Sequence, residues 1–110
     1  MLKFAVVLYK RPDISVERFR VYLRTVHGPL AEQIPGLRKY VQNYVAEDPK
    51  RKPPGWHGIV ELYFDDWEAM EAGWASPEGE RATDDLAEFA DLARSTWSVV
   101  EQIVIRESSS

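Results

Sequence analysis

A single α+β domain with the element order βαββαβ is predicted, and three observations carry that prediction. Residues 2–9 alternate with a period of two, a helical recurrence of apolar residues follows, and the same strand-then-helix logic returns in the second half before a closing β-branched run. The 110 residues match the usual size of one domain, and 45% hydrophobic residues with mixed charge is a globular composition. Disorder along the whole chain is thereby excluded.

In the first strand Leu2, Phe4, Val6 and Leu8 take one side and Lys3, Ala5, Val7 and Tyr9 the other. Arg11-Pro12-Asp13 breaks it. Val16, Phe19, Leu23 and Val26 then recur at helical spacing behind Asp13 or Ser15 as the N-cap, and His27-Gly28-Pro29 is expected to end the helix. A Pro35-Gly36 turn leads to a second strand over 37–46, whose tyrosines, valines and polar residues suit a half-exposed position. In the third strand Gly58, Val60, Leu62 and Phe64 alternate with His57, Ile59, Glu61 and Tyr63. Asp65-Asp66 is expected to cap a short helix from about Trp67 to Trp74. Ser76-Pro77-Glu78 starts another, with a capping serine, proline in the first turn and early negative charge, and Ala82, Leu86, Phe89 and Ala93 form its buried stripe. Residues 98–106 are expected to close the sheet; the domain spans 1–107, and 108–110 is expected to be a frayed tail.

This order is the split βαβ, ferredoxin-like arrangement, with both helices on one face of a four-stranded antiparallel sheet. The opposite face is expected to hold Val7, Tyr9, Tyr40, Gln42, Tyr44, Ile59, Glu61 and Tyr63. So many aromatic and branched side chains would make a large exposed patch, and a second copy pairing through that face is the simplest cover.

Several function classes are excluded or disfavoured. The chain has no cysteine, so a disulfide framework, a thiolate metal site and a cysteine nucleophile are absent. The net charge of −4 offers no general attraction to nucleic acid or anionic lipid. Lys50-Arg51-Lys52, followed by Pro53-Pro54-Gly55, reads as a solvated hairpin loop. No apolar run approaches the roughly 20 residues that span a bilayer, and the N-terminus does not read as a signal peptide, so a cytoplasmic location is expected. A Gly-rich phosphate loop, a Gly-x-Ser-x-Gly elbow and a His-x-x-x-His pair are all missing.

Five pieces in order resemble the EthD-like family of the dimeric α/β-barrel superfamily: His27-Gly28-Pro29-Leu30, Pro35-Gly36-Leu37-Arg38-Lys39-Tyr40, Glu61-Leu62-Tyr63-Phe64-Asp65, Ser76-Pro77-Glu78-Gly79, and Asp85-x-x-x-Phe89-x-Asp91. Family members often carry an acidic residue where this chain has His57 before Gly58. The resemblance implies a homodimer whose sheets pack face to face, a small-molecule cavity in each subunit, and metabolism without a bound metal or organic cofactor. The superfamily includes isomerases, cyclases, dehydratases, monooxygenases and proteins of no assigned activity, so the resemblance does not select a reaction.

His27 matches the family's histidine and is a candidate acid/base, although a histidine in the last turn of a helix also suits a capping role. Glu61 is the candidate second base, its pKa raised if the face is dry; the alternative is a salt bridge across the dimer, for instance with Arg38. Tyr40 is the candidate donor to a carbonyl or enolate oxygen, packing being the plainer role for an aromatic on a sheet. Tyr9, Gln42, Tyr44, Ile59 and Tyr63 are expected to line the ligand space with His57, which is favoured at its rim. Asp85 and Asp91 read by default as the wet side of their helix. The expected activity is cofactor-independent proton transfer on a small, largely apolar carbonyl compound. The other readings are a non-catalytic small-molecule binding or accessory dimer, and a cofactor-free or haem-using monooxygenase, which in the haem case needs His57 or His27 as axial ligand.

Overall fold

The computed structural model describes residues 1–108. Its elements are β1 (Leu2–Leu8), α1 (Val16–Tyr22), α2 (Gly28–Ala31), β2 (Lys39–Tyr44), β3 (Gly58–Phe64), α3 (Trp67–Ala75), α4 (Pro77–Asp85) and β4 (Thr96–Val100). The strands form one antiparallel sheet in the order β2-β3-β1-β4, which is the ferredoxin-like topology.

Capping follows the local chemistry. Ser15 accepts from the Arg18 N–H at 3.0 Å, leaving Asp13 to pair with Arg11 at 2.7 Å; Asp66 accepts from the Ala69 N–H at 2.8 Å, and Ser76 from the Gly79 N–H at 3.0 Å. Gly36 carries the left-handed φ of 83° that the Pro-Gly turn requires.

His27-Gly28-Pro29 does not end the first helix. The chain passes through it as a widened π-turn over Leu23–His27, in which the Gly28 N–H reaches back to the Leu23 carbonyl, and then resumes as α2. Pro29 has no N–H to give, and its ring would crowd the carbonyl one turn earlier, so widening the turn removes the conflict without breaking the helix. The wider turn carries His27 and Gly28 to the inner side, whereas Val26 is 42% exposed.

One face of the sheet meets the helices. Val6, Leu8, Val60, Leu62 and Phe64 bury against Phe19 and Leu23, Met70 of α3, Ala82 of α4, and Phe89. Phe19, Phe64 and Phe89 are wholly buried, each contributing about 1.5–3 kcal/mol from removal of apolar surface. Tyr40 pairs with Leu62, Gln42 with Val60 and Tyr44 with Gly58, so all three side chains lie on this helix-covered face, not on the open face where they were expected. The open side of β2 carries Lys39, Val41 and Asn43 instead. A strand with polar and apolar residues on both sides gives no clear parity, and a slip of one residue moves every side chain to the other face.

Two further expectations need correction. The α4 stripe holds for Ala82 and Phe89, but the helix ends at Asp85 and Ala93 is exposed in a later turn, because an intervening tight turn at Leu86–Glu88 redirects the chain. The closing strand covers Thr96–Val100; Ile103, Val104 and Ile105 lie beyond it, 69, 57 and 90% exposed, because pairing to β1 stops at Lys3↔Val100. Of the expected tail, residues 109 and 110 lie outside the described residues.

At Gly79 a Cβ would stand 2.0 Å from the Gly73 carbonyl oxygen and 2.9 Å from the Trp74 backbone, so the α3–α4 junction closes only over a hydrogen. Gly79→Ala is expected to destabilise the fold by about 3 kcal/mol or more in urea unfolding. Gly55→Ala, whose Cβ meets only the Tyr9 ring at 3.5 Å or beyond, should change stability little.

Candidate active site

Between the helices and the inner face of the sheet lies a cavity of about 490 Å³, within the range of about 300–1,000 Å³ typical of small-molecule sites. Phe4, Leu62, Trp74 and Trp97 supply much of its apolar wall, and the polar residues that line it are His27, Tyr40, Glu80, Thr83 and Asp84.

The π-turn presents His27, and the last residue of α4 meets it. The Asp85 carboxylate binds His27 Nδ1 through one oxygen at 3.0 Å and accepts from the Tyr22 hydroxyl through the other at 2.7 Å. The His27 side chain is 7% exposed and that of Asp85 12%, and Phe89 packs on the imidazole with ring centroids 5.0 Å apart. Burial lowers the His27 pKa, with Asp85 acting in the opposite direction. The neutral ring therefore donates Nδ1–H to the carboxylate and keeps a lone pair on Nε2. Every fully buried side-chain polar atom among the described residues has a partner, and none is found for Nε2, so that nitrogen is reached from open space. The Tyr22 phenol is pushed up to about 12, first by desolvation and then by Asp85, and stays protonated as a donor to the carboxylate.

Burial also pushes the Tyr40 phenol up to about 12, against a smaller opposing effect of its hydrogen bond with Gln42. At neutral pH it is an intact O–H group on the cavity wall. Tyr40 also lines, together with Gln42 and Tyr44, a second and more open depression that includes Arg24 and Glu32.

Glu61 does not join them. Its partners in register are Ala5 and Val41 on the open face, together with Ile59 and Tyr63 from its own strand, so it lies across the sheet from His27 and Tyr40. There it pairs with Lys3 at 2.5 Å and accepts from Asn43 at 3.1 Å. Those two contacts lower its pKa, with Lys3 first, reversing the expected rise. The salt bridge is made within the subunit and to Lys3, while Arg38 pairs with Asp65 at 3.5 Å. His57 stands at the entry to β3, where Nδ1 accepts from the Lys10 N–H at 3.0 Å and its ring packs on Phe19 and Tyr9. It does not line the cavity, nor does Tyr9, whose N–H is bound by Ser95. Lys50 and Lys52 are exposed in their loop, and Arg51 pairs with Asp48 at 3.2 Å.

Asp85, expected on the wet side of its helix, instead turns inward to His27 and Tyr22. Helical periodicity alone places it on the charged side, because Asp84 and Glu88 surround it; only its spacing to Phe89 marked it out. No group of three or more His, Cys, Asp or Glu able to hold a metal is present among the described residues, and no helix there is long and apolar enough to cross a membrane.

A ferredoxin-like sheet with a mainly apolar cavity under its helices, lined by a histidine that a buried carboxylate holds, defines the class: a small α+β protein with a candidate small-molecule site. The chain belongs to the EthD family, whose domain profile matches residues 11–93. It is 29% identical over 84 residues to an uncharacterized 11.0 kDa protein in the thcB-thcC intergenic region of Rhodococcus erythropolis, a match covering 76% of this chain and 80% of that protein. An ethyl tert-butyl ether D (EthD) family protein from Bacillus halodurans superposes with a TM-score of 0.78 at 25% identity, over 94% of this chain and all of that one (100%). A dimeric protein of unknown function and ferredoxin-like fold from Bacteroides fragilis shares the fold, with a TM-score of 0.66 at 21% identity over 92% of this chain and 95% of that one.

The sign of the His27 shift yields a titration test. A histidine whose folded pKa lies below the unfolded value of 6.5 binds fewer protons in the native state, so its contribution to stability is present above 6.5 and is lost as pH falls through the folded pKa. Nitrogen-detected NMR of the histidine rings should give a His27 midpoint below 6.5. Asp85→Asn should move it lower still, because the carboxylate is the one group raising it. A midpoint that rises in Asp85→Asn would contradict the assignment.

Proposed function

We propose that this chain is a homodimeric enzyme of small-molecule metabolism that moves a proton on a small, largely apolar carbonyl compound held between sheet and helices. The observation that carries this reading is the neutral His27, fixed by Asp85 through Nδ1 and open at Nε2, on the wall of a mainly apolar cavity. Such a nitrogen can remove a proton from carbon next to a carbonyl and return it elsewhere, which is the shared step of isomerisation, cyclisation and dehydration. The Tyr40 hydroxyl hydrogen-bonds the oxygen on which charge develops. Asp85 stabilises the imidazolium formed on the way and holds the ring in one tautomer. Glu61 has no part in this chemistry; its ion pair with Lys3 belongs to the open face.

The second copy covers that open face. Ala5, Val7, Val41, Ile59 and Tyr63 are only half-buried there in one subunit, around the shielded Lys3–Glu61 pair, and several relatives of the same fold are described as dimeric. A non-catalytic ligand-binding dimer is favoured as the second reading by the way Tyr22, Asp85 and Phe89 lock His27 in place, which would serve a fixed binding wall equally well.

The two readings separate in deuterium oxide. With cyclic enones, lactones and phenolic ketones as probes, the wild-type protein should catalyse hydrogen–deuterium exchange next to the carbonyl, and His27→Ala should slow it by about 10²–10⁴-fold. Binding without exchange in the wild type would favour the binding protein, and exchange unchanged in His27→Ala would remove His27 from catalysis. Ile59→Arg, which brings an unpaired charge into the sheet-to-sheet contact, should shift sedimentation from dimer to monomer; a persisting dimer would place the interface elsewhere.

A further inference from the structure

Behind Tyr40 runs a chain of hydrogen bonds whose direction is chemically forced. The Gln42 side-chain amide touches the Leu23 carbonyl at 2.9 Å. A backbone carbonyl only accepts, so the atom facing it is Nε2 and the amide has one orientation. The second N–H of that amide donates to the Tyr40 oxygen at 3.0 Å, and Oε1 accepts from the Tyr44 hydroxyl. The Tyr40 oxygen thus already accepts a hydrogen bond from behind, its own O–H finds no acceptor among the described residues, and Tyr40 lines both the cavity and the depression beside Gln42. The arrangement needs the bare backbone of Gly28, where a Cβ would stand 3.0 Å from Gln42 Nε2 and 3.2 Å from the Leu23 oxygen.

We infer that Gln42 is a positioning residue that fixes the Tyr40 phenol as a donor into the cavity and so selects ligands presenting an acceptor oxygen: a ketone, a lactone carbonyl or an enolate. The inference rests on the cavity being the ligand site, as proposed above, and it adds the polarity that the site demands. A group that can only donate at that point meets the phenol's proton and is disfavoured, while a carbonyl meets it in line. The Leu23 carbonyl anchors the orientation and also receives the Gly28 N–H, so it keeps a partner when Gln42 is replaced.

The test uses 1-tetralone and tetralin, which share a shape and differ in one carbonyl. Wild-type protein should bind tetralone about tenfold more tightly, the effect of one net hydrogen bond, with the bound C=O stretch shifted to lower frequency. In Gln42→Glu the carboxylate only accepts, draws the Tyr40 proton back onto itself, and should abolish both the preference and the shift while tetralin affinity stays the same. Tyr40→Phe should do likewise. Should Gln42→Glu not fold, Gln42→Met, which neither donates nor accepts, carries the test: the infrared band should broaden and the preference fall severalfold. A full preference with a sharp shifted band in the folded Gln42 variant, lost only in Tyr40→Phe, overturns the role of Gln42 and leaves the site standing. If neither compound binds to the wild type, the cavity is not the ligand site, and this inference falls with that reading.

Discussion

Pro29 lacks the amide hydrogen that a regular helix would use at its position, and the surroundings of the cavity are arranged around that lack. The helix accommodates the proline by widening over Leu23–His27, so that the Gly28 N–H turns back to the Leu23 carbonyl. The same widening brings His27 to the inner side within reach of Asp85. It also exposes the Leu23 carbonyl to a second donor, Gln42, across a glycine small enough to let it in. One missing donor thereby connects the acid/base candidate, the phenol and the amide behind it.

The two faces of the sheet handle charge differently. On the helix side the buried polar groups are a neutral imidazole, intact phenols and an amide, with the Asp85 carboxylate bonded through both oxygens, while the exposed Glu80 and Asp84 also line the cavity. Burial there suppresses ionisation, as the raised phenol values and the lowered His27 value show. On the open side Lys3 and Glu61 remain ionised because each neutralises the other, and Tyr63 lies against the ammonium groups of Lys3 and Lys39, each 5.2 Å from its ring centroid. The candidate site lies on the first face, and the ion pair on the second.

How much was legible in the sequence varied with how one-sided each element is. β1 and β3 place large apolar residues strictly on alternate positions, and their faces were correctly read. β2 carries tyrosines on one side and Val41 on the other, so its parity is ambiguous, and only the register places Tyr40, Gln42 and Tyr44 on the helix-covered face. His27 is visible as a candidate because it matches the family's histidine and imidazole is a natural proton-exchanging group. Asp85 is not, because a carboxylate among other carboxylates on a helix looks solvated until the opposing element is known.

The sequence by itself determined the order of strands and helices, the caps at Asp66 and Ser76, and the family, because these depend on local periodicity and on side chains a few residues apart; it left the first cap open between Asp13 and Ser15. Only the tertiary structure decided that the helix runs through His27-Gly28-Pro29, that Tyr40 shares a cavity with His27 while Glu61 lies across the sheet, and that Asp85 turns inward. Those outcomes join residues as much as 63 positions apart. They follow from strand register and from which groups can be buried only in company, which no local pattern encodes.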